Sequence, residues 1–181
     1  MNSQNNNLLV TIIMCVALVA AAILTVPSSV LQVSYAQMNQ DLANEILAVH
    51  NRERTAVGVS PLTWNDNLAA DAQTWAQHIS TTGQFIHDPE SPGGENIAGF
   101  NPSMGVSAPG EGQSLWVDEK QNWQGGVLTP ENWYPTGHYT QMVWKDTQEV
   151  GCGTASGDGH PFSILVCRYN PNGNFMGQAP Y

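Results

Sequence analysis

The sequence contains the stretch Gly137-His138-Tyr139-Thr140-Gln141-Met142-Val143-Trp144-Lys145-Asp146-Thr147, in which a histidine precedes a run of apolar, aromatic and β-branched residues. This composition favours a β-strand, and we predict a strand from Tyr139 to Trp144. His138 would then present a titratable ring at a strand edge. Because histidine is the side chain most suited to metal binding and proton transfer near neutral pH, the stretch predicts a functional site around His138.

A second informative stretch, residues 164–175, has the sequence ILVCRYNPNGNF. Together and in this order, the two stretches resemble the two signatures of the CAP superfamily (SCP domain), which includes cysteine-rich secretory proteins, insect venom allergens and plant pathogenesis-related proteins. The resemblance covers about residues 40–181 and implies a three-layer α-β-α sandwich. Many eukaryotic members carry about three disulfides, whereas this domain has cysteines for one, so the chain looks more like the single-domain, microbial type.

The N-terminal part of the 181-residue chain differs in composition from the rest, because its first 36 residues carry no charged side chain. Residues 8–26 are apolar over the length of a signal-peptide core or a minimal membrane helix. Val33 and Ala36 fit the positions that a signal peptidase recognises. We therefore expect a signal peptide at residues 1–36 and a secreted domain at residues 37–181. The alternative is an uncleaved N-terminal anchor that holds the same domain outside the membrane.

The charge balance narrows the classes of partner. Fifteen acidic and five basic residues give a formal net charge of −10. Nucleic acids and anionic membrane surfaces need clustered Lys and Arg, so we expect neither as a partner, and contact with a membrane only through an uncleaved N-terminal segment. The same charge attracts cations.

Three cysteines are present, and Cys15 falls in the predicted export segment. Cys152 and Cys167 remain in the domain, on runs that are predicted to form neighbouring strands. Outside the cell such a pair is expected to form a disulfide, and the alternative is two buried thiols.

The order of predicted elements indicates an α+β domain with helices first and an antiparallel sheet later. One helix is expected at about 40–57 and a second from the N-cap Asn65 to Gly83. The predicted elements that follow are an irregular segment at 85–112 with a helical turn at 95–98, a helix at 114–122, and strands at 139–144, 150–155 and 162–169.

The CAP resemblance also implies a cleft that holds two histidines and two glutamates. Matching motifs occur at Phe85-Ile86-His87, at Gly94-Glu95-Asn96, at Trp116-Val117-Asp118-Glu119 and at His138. His87 and His138 would bind zinc or another divalent cation. Glu95 and Glu119 would orient the imidazoles or contact the metal through water. His50 and His78 fall within predicted helices and are assigned structural or solvent roles.

Two functions remain open on the sequence. The first is a binding module, in which the cation site accompanies a groove for a lipid, sterol-like or other small apolar ligand. Some CAP relatives bind such ligands on a loop that corresponds to residues 122–135, and the candidates for this groove are Trp123, Trp133, Tyr134 and Tyr139. The second is a zinc-dependent hydrolase or peptidase, with Glu95 or Glu119 as general base. The common sequence motifs of metalloproteases, serine hydrolases and nucleotide-binding proteins are absent.

Overall fold

A computed structural model describes residues 28–91, 94–101 and 108–181. Its helices are α1 (Ser28–Ala56), α2 (Asp66–Thr82), α3 (Ala108–Asp118), a 3-10 helix (Glu119–Asn122), α4 (Pro130–Trp133) and α5 (Gly137–Met142). Its strands are β1 (Thr63–Trp64), β2 (Gly94–Phe100), β3 (Glu149–Ala155) and β4 (Ser163–Asn170). The strand order is β1-β3-β4-β2, so β2 forms one edge of the sheet.

Helices cover both faces of this sheet and produce the predicted α-β-α sandwich. On one face, Ala72, Ala76 and Ile79 of α2 pack against apolar residues of β2 and β4. On the other face, residues of α1, α3 and α5 pack into a larger core with the opposite side chains of the strands. The β2-β4-β3 part of the sheet is antiparallel, as predicted, and the two residues of β1 pair with β3 in parallel.

Close contact between α2 and β3 depends on two glycines. A Cβ added at Gly151 or Gly153 would collide with the backbone of α2 at Ala69 or Gln73. The missing side chains therefore let the helix approach the sheet closely.

The second helix and the cysteine pair agree with the sequence predictions. The Asn65 side chain accepts the N–H groups of Asn67 and Leu68, and Gly83 ends α2 in the left-handed conformation that favours glycine. Cys152 and Cys167 lie opposite each other on β3 and β4 and form a disulfide.

Two predicted elements were wrong. Residues 139–144 do not form a strand, because Gly137–Met142 is the helix α5. Its residues 139–142 are all buried, so the segment lacks the one-sided apolar pattern by which a surface helix is recognised. The helical turn predicted at 95–98 is instead the centre of β2, which pairs with β4 along its whole length.

The other boundaries differ in detail. The first helix begins at Ser28 instead of about 40, so it crosses the predicted cleavage point after residue 36. Most of the predicted signal peptide lies outside the described residues, and its cleavage stays a prediction. The helix predicted at 114–122 is divided into α3 and the 3-10 helix. No helix in the described ranges is long and apolar enough to cross a membrane.

Candidate functional site

His138 is held by a carboxylate from a different part of the chain. Glu119 begins the 3-10 helix, and its Oε2 accepts the backbone N–H groups of His138 at 2.9 Å and Tyr139 at 3.0 Å. Its Oε1 accepts the His138 Nδ1–H at 2.6 Å. Glu119 therefore binds the first turn of α5 and fixes the orientation of the imidazole ring. The Trp116 ring stacks on the same imidazole, with centroids 6.0 Å apart and an interplanar angle of 15°.

His87 forms a similar pair with Glu95. His87 lies in the segment between α2 and β2, and its Nδ1–H donates to Glu95 Oε1 at 2.7 Å. The backbone N–H of Asp88 donates to the same oxygen at 3.1 Å. The Glu95 side chain is only 4% exposed, whereas the His87 ring is 63% exposed. A buried carboxylate on β2 thus orients an imidazole that stays open to solvent.

A further charged pair lies behind Glu95. Arg168 is opposite Glu95 in the β2–β4 register, its guanidinium donates to Asp88 Oδ2, and it lies 3.6 Å from Glu95 Oε2. Burial alone would raise the pKa of the Asp88 carboxyl. The N–H of Glu90 and the Arg168 guanidinium outweigh this effect and hold the pKa below its ordinary value. Asp88 is therefore ionised at neutral pH, and the Arg168 guanidinium lies between it and Glu95.

The two histidine–glutamate pairs have the same donor pattern. In each ring Nδ1–H donates to a carboxylate, so the Nε2 lone pair of the neutral imidazole is available to a ligand. This is the usual arrangement of a histidine that ligates zinc, with a carboxylate behind it. The donor chemistry therefore fits a divalent cation bound through two imidazoles and water. Among the residues described, no three His, Cys, Asp or Glu side chains are grouped so that they could hold a metal by themselves.

An open pocket of about 330 Å³ adjoins the His87–Glu95 pair. Its wall includes His87, Glu95, the Trp133 ring and Met176. His138 does not line this pocket, although Trp133 packs against Gly137, the residue before it. The structure therefore places the four predicted site residues as two hydrogen-bonded pairs. The pocket lies beside His87 and Glu95, and α5, which carries His138, reaches the same pocket through Gln141.

The four aromatic candidates for an apolar groove divide into two groups. Trp123, which is 9% exposed, and Tyr139, which is fully buried, belong to the core and offer a ligand little or no surface. Trp133 is 42% exposed and Tyr134 is 87% exposed. A ligand that bound the loop at residues 122–135 would therefore contact the second group only.

Several residues of the site were missed by the sequence analysis. Asp88 and Arg168 lie directly next to residues that had been singled out, His87 and Cys167, but no local pattern pairs them. Asn96 had been noted only as part of a motif, yet its side chain donates to the His138 carbonyl at 3.1 Å. These partners come from the segment between α2 and β2 and from β2, β4 and α5, so only the folded chain brings them together.

The α-β-α sandwich and the two histidine–glutamate pairs together indicate the class of protein to which the chain belongs. The sequence model of the cysteine-rich secretory protein family, CAP, matches residues 47–169. The chain belongs to this family.

Individual relatives support this assignment. Pathogenesis-related protein 1A of Nicotiana tabacum is 34% identical over 151 residues, which are 83% of this chain and 88% of the relative. Pathogenesis-related protein 1 of Arabidopsis thaliana is 36% identical over 143 residues, 78% of this chain and 84% of the relative. The crystal structure of NaASP2 with Zn²⁺ superposes with a TM-score of 0.64 at 23% identity, over 77% of this chain and 84% of that one.

Proposed function

We propose that this CAP protein is an extracellular binding module that holds a divalent cation through His87 and His138, and that zinc is the preferred cation. The observation that carries the proposal is the repeated pair: a carboxylate accepts Nδ1–H of each imidazole and leaves Nε2 to the metal. The disulfide Cys152–Cys167 supports an extracellular location. The net charge of −10 favours a cation over an anion at this surface.

The positions of the two carboxylates favour binding over hydrolysis. Both oxygens of Glu119 already accept hydrogen bonds from His138 and Tyr139, so this carboxylate is not free to activate a water molecule. Glu95 Oε1 is also occupied, and its Oε2 is buried beside Arg168. A hydrolase would therefore have to use Glu95 Oε2 as its general base, and this oxygen is buried 3.6 Å from the Arg168 guanidinium.

The similarity to NaASP2 is not evidence that this chain binds zinc. That protein was crystallised with Zn²⁺, but at 23% identity the likeness shows the fold alone. We therefore infer zinc binding by this chain from its own two histidine–glutamate pairs.

Calorimetric titration with Zn²⁺ tests the proposal. We expect one equivalent to bind, and we expect the His87→Ala/His138→Ala double variant to bind at least about 100-fold more weakly, since loss of an outer partner alone typically costs about 10–100-fold. Wild-type affinity should also fall in acid, because a protonated imidazole cannot ligate a metal.

A matched control is the His78→Ala/His160→Ala double variant, which removes the same number of imidazoles but leaves both histidine–glutamate hydrogen bonds in place. It should bind Zn²⁺ as the wild type does. Equal losses in the two double variants, or no binding by the wild type, would show that the cation site is not at His87 and His138.

A second candidate function is supported by the exposed aromatic residues of the loop at 122–135. Trp133 lines the pocket, and Tyr134 and Val127 present further exposed apolar surface on the same loop. Such a surface suits a fatty acid, a sterol or another small apolar ligand. Saturable binding of a fluorescent sterol or fatty acid is expected to be lost in Trp133→Ser/Tyr134→Ser and kept in His87→Ala. A wild-type protein without saturable binding would remove this candidate.

A further inference from the structure

A chain of buried hydrogen bonds runs through the core and ends at His138. His50 on α1 is fully buried, and its Nδ1 lies 2.9 Å from the Ile46 carbonyl oxygen and 3.0 Å from Gln113 Oε1. Its Nε2 lies 2.8 Å from the Tyr169 hydroxyl on β4. The polar side chains of His50, Gln113 and Tyr169 thus connect α1, α3 and β4 inside the apolar core.

The chain continues from Tyr169 to β2 and α5. Asn96 Nδ2 lies 3.2 Å from the Tyr169 hydroxyl and 3.1 Å from the His138 carbonyl oxygen. Asn96 is buried on the edge strand, next in sequence to Glu95. A single amide group therefore joins the core network to the backbone of a proposed metal ligand.

Only one placement of protons gives every polar group in this network a hydrogen-bond partner. The Ile46 carbonyl can only accept, so His50 Nδ1 carries the proton and Nε2 accepts from the Tyr169 hydroxyl. The Tyr169 oxygen then accepts one Asn96 N–H, and the other Asn96 N–H donates to the His138 carbonyl. Burial lowers the pKa of His50 to about 4, so the neutral ring that this arrangement requires is present at pH 7. The direction of every bond is therefore fixed, and so is the orientation of the Asn96 amide.

We propose that Asn96, oriented by Tyr169 and His50, is a positioning residue that holds His138 in place for cation binding. This inference rests on the proposed function. His138 is held at its N–H and its ring by Glu119 and at its carbonyl by Asn96. His87 lies outside the regular elements, and its ring has one hydrogen bond, to Glu95. His138 is thus the fixed ligand of the pair, and His87 is the ligand that adjusts to the metal.

The hydrogen-bond network ends at the His138 carbonyl, and this end point distinguishes a positioning role from general stabilisation. A buried polar network costs free energy unless all its groups are paired, and an apolar core serves stability as well. Here the network leaves the core to reach one backbone carbonyl, that of the histidine whose ring Glu119 orients. Fixing ligand positions in advance lowers the cost of ordering them on binding, so the network acts on metal affinity through the geometry of His138.

The test compares Asn96→Leu and Tyr169→Phe with the wild type in two measurements. The first is the Zn²⁺ dissociation constant from calorimetry, which should rise by about tenfold in each variant, as is typical when an outer partner of a metal ligand is lost. The second is amide hydrogen exchange in the metal-free protein. The N–H groups of His138 and Tyr139 should exchange at least about tenfold faster, after correction for the change in global stability.

Gln73→Leu is the matched control. It removes two hydrogen bonds, between the Gln73 side chain and the backbone of Thr154, on the α2 face of the sheet away from α5. It should leave both measurements unchanged once its own loss of stability is subtracted. Should Asn96→Leu not fold, Tyr169→Phe carries the test alone, because it removes a single hydroxyl.

The outcomes separate this inference from the proposed function. If Zn²⁺ affinity and the exchange of His138 in the variants match those of the control, the positioning role is overturned even though the metal site stands. If the wild type binds no Zn²⁺, the proposed function fails, and the positioning role for cation binding fails with it. Faster exchange at His138 would then show only that Asn96 holds the backbone of α5.

Discussion

Replacement of Arg54 with methionine is expected to lower the free energy of unfolding by about 4 kcal/mol. The guanidinium is fully buried and donates to four backbone carbonyls, those of Ser60, Met142, Trp144 and Thr147, at 2.6–3.0 Å. Burial lowers the pKa of Arg54 to about 10, which leaves the side chain charged at pH 7. Methionine fills a similar volume but pairs with none of these oxygens, and each unpaired buried carbonyl costs about 1–3 kcal/mol.

The matched control for this prediction is Arg52→Met in the same helix. The Arg52 side chain is 62% exposed and pairs with its neighbour Glu53. Exposed ion pairs of this kind contribute about 0–1 kcal/mol. Urea unfolding of the two variants should therefore separate them clearly, and equal midpoints would show that the Arg54 contacts do not stabilise the end of α5.

Stability is expected to rise by about 3 kcal/mol between pH 4 and pH 6.5 because of His50. Its pKa is about 4 in the folded protein, chiefly because burial disfavours the charged ring, against an ordinary value of 6.5. Between these two values the unfolded chain binds more protons than the folded chain, so the free energy of unfolding increases with pH. Above pH 6.5 the contribution of His50 is constant.

Chemical unfolding at a series of pH values measures this effect. His50→Gln should flatten the curve between pH 4 and 6.5. The Asp88–Arg168 pair acts at lower pH: the pKa of Asp88 is below its ordinary value of 3.8, so the pair's contribution is complete above that value and is lost in stronger acid. A curve that stays steep in His50→Gln would contradict the assignment to His50.

Local sequence signals were sufficient for the elements whose own residues determine them. The Asn65 cap, the apolar spacing of α2 and the Gly83 stop all lie within one segment, and the prediction of this helix was confirmed. The strand prediction at 139–144 failed because the Glu119 carboxylate, which lies outside the segment, binds the first turn of α5. The turn predicted at 95–98 failed for a similar reason, since β2 depends on pairing with β4. Contacts distant in sequence override weak local propensity in both places.

The candidate site was predicted as four residues, but its organisation was not. Motif matching located His87, Glu95, Glu119 and His138 one at a time. Their division into two pairs, each with Nδ1–H on a carboxylate, depends on the packing of α3, α5 and the edge strand β2. Hydrogen-bond geometry of this kind has no signature in residue spacing, so the sequence suggested a cation site through its family resemblance and left the role of each carboxylate open.

X-ray absorption at the zinc K edge on the loaded protein tests the central claim most directly. The two histidine–glutamate pairs predict two imidazole nitrogens at about 2.0–2.1 Å, completed by oxygen ligands, and a spectrum that loses its imidazole signal in His87→Ala/His138→Ala. A spectrum with oxygen ligands alone, or one that is the same in the double variant, would contradict a cation site at His87 and His138.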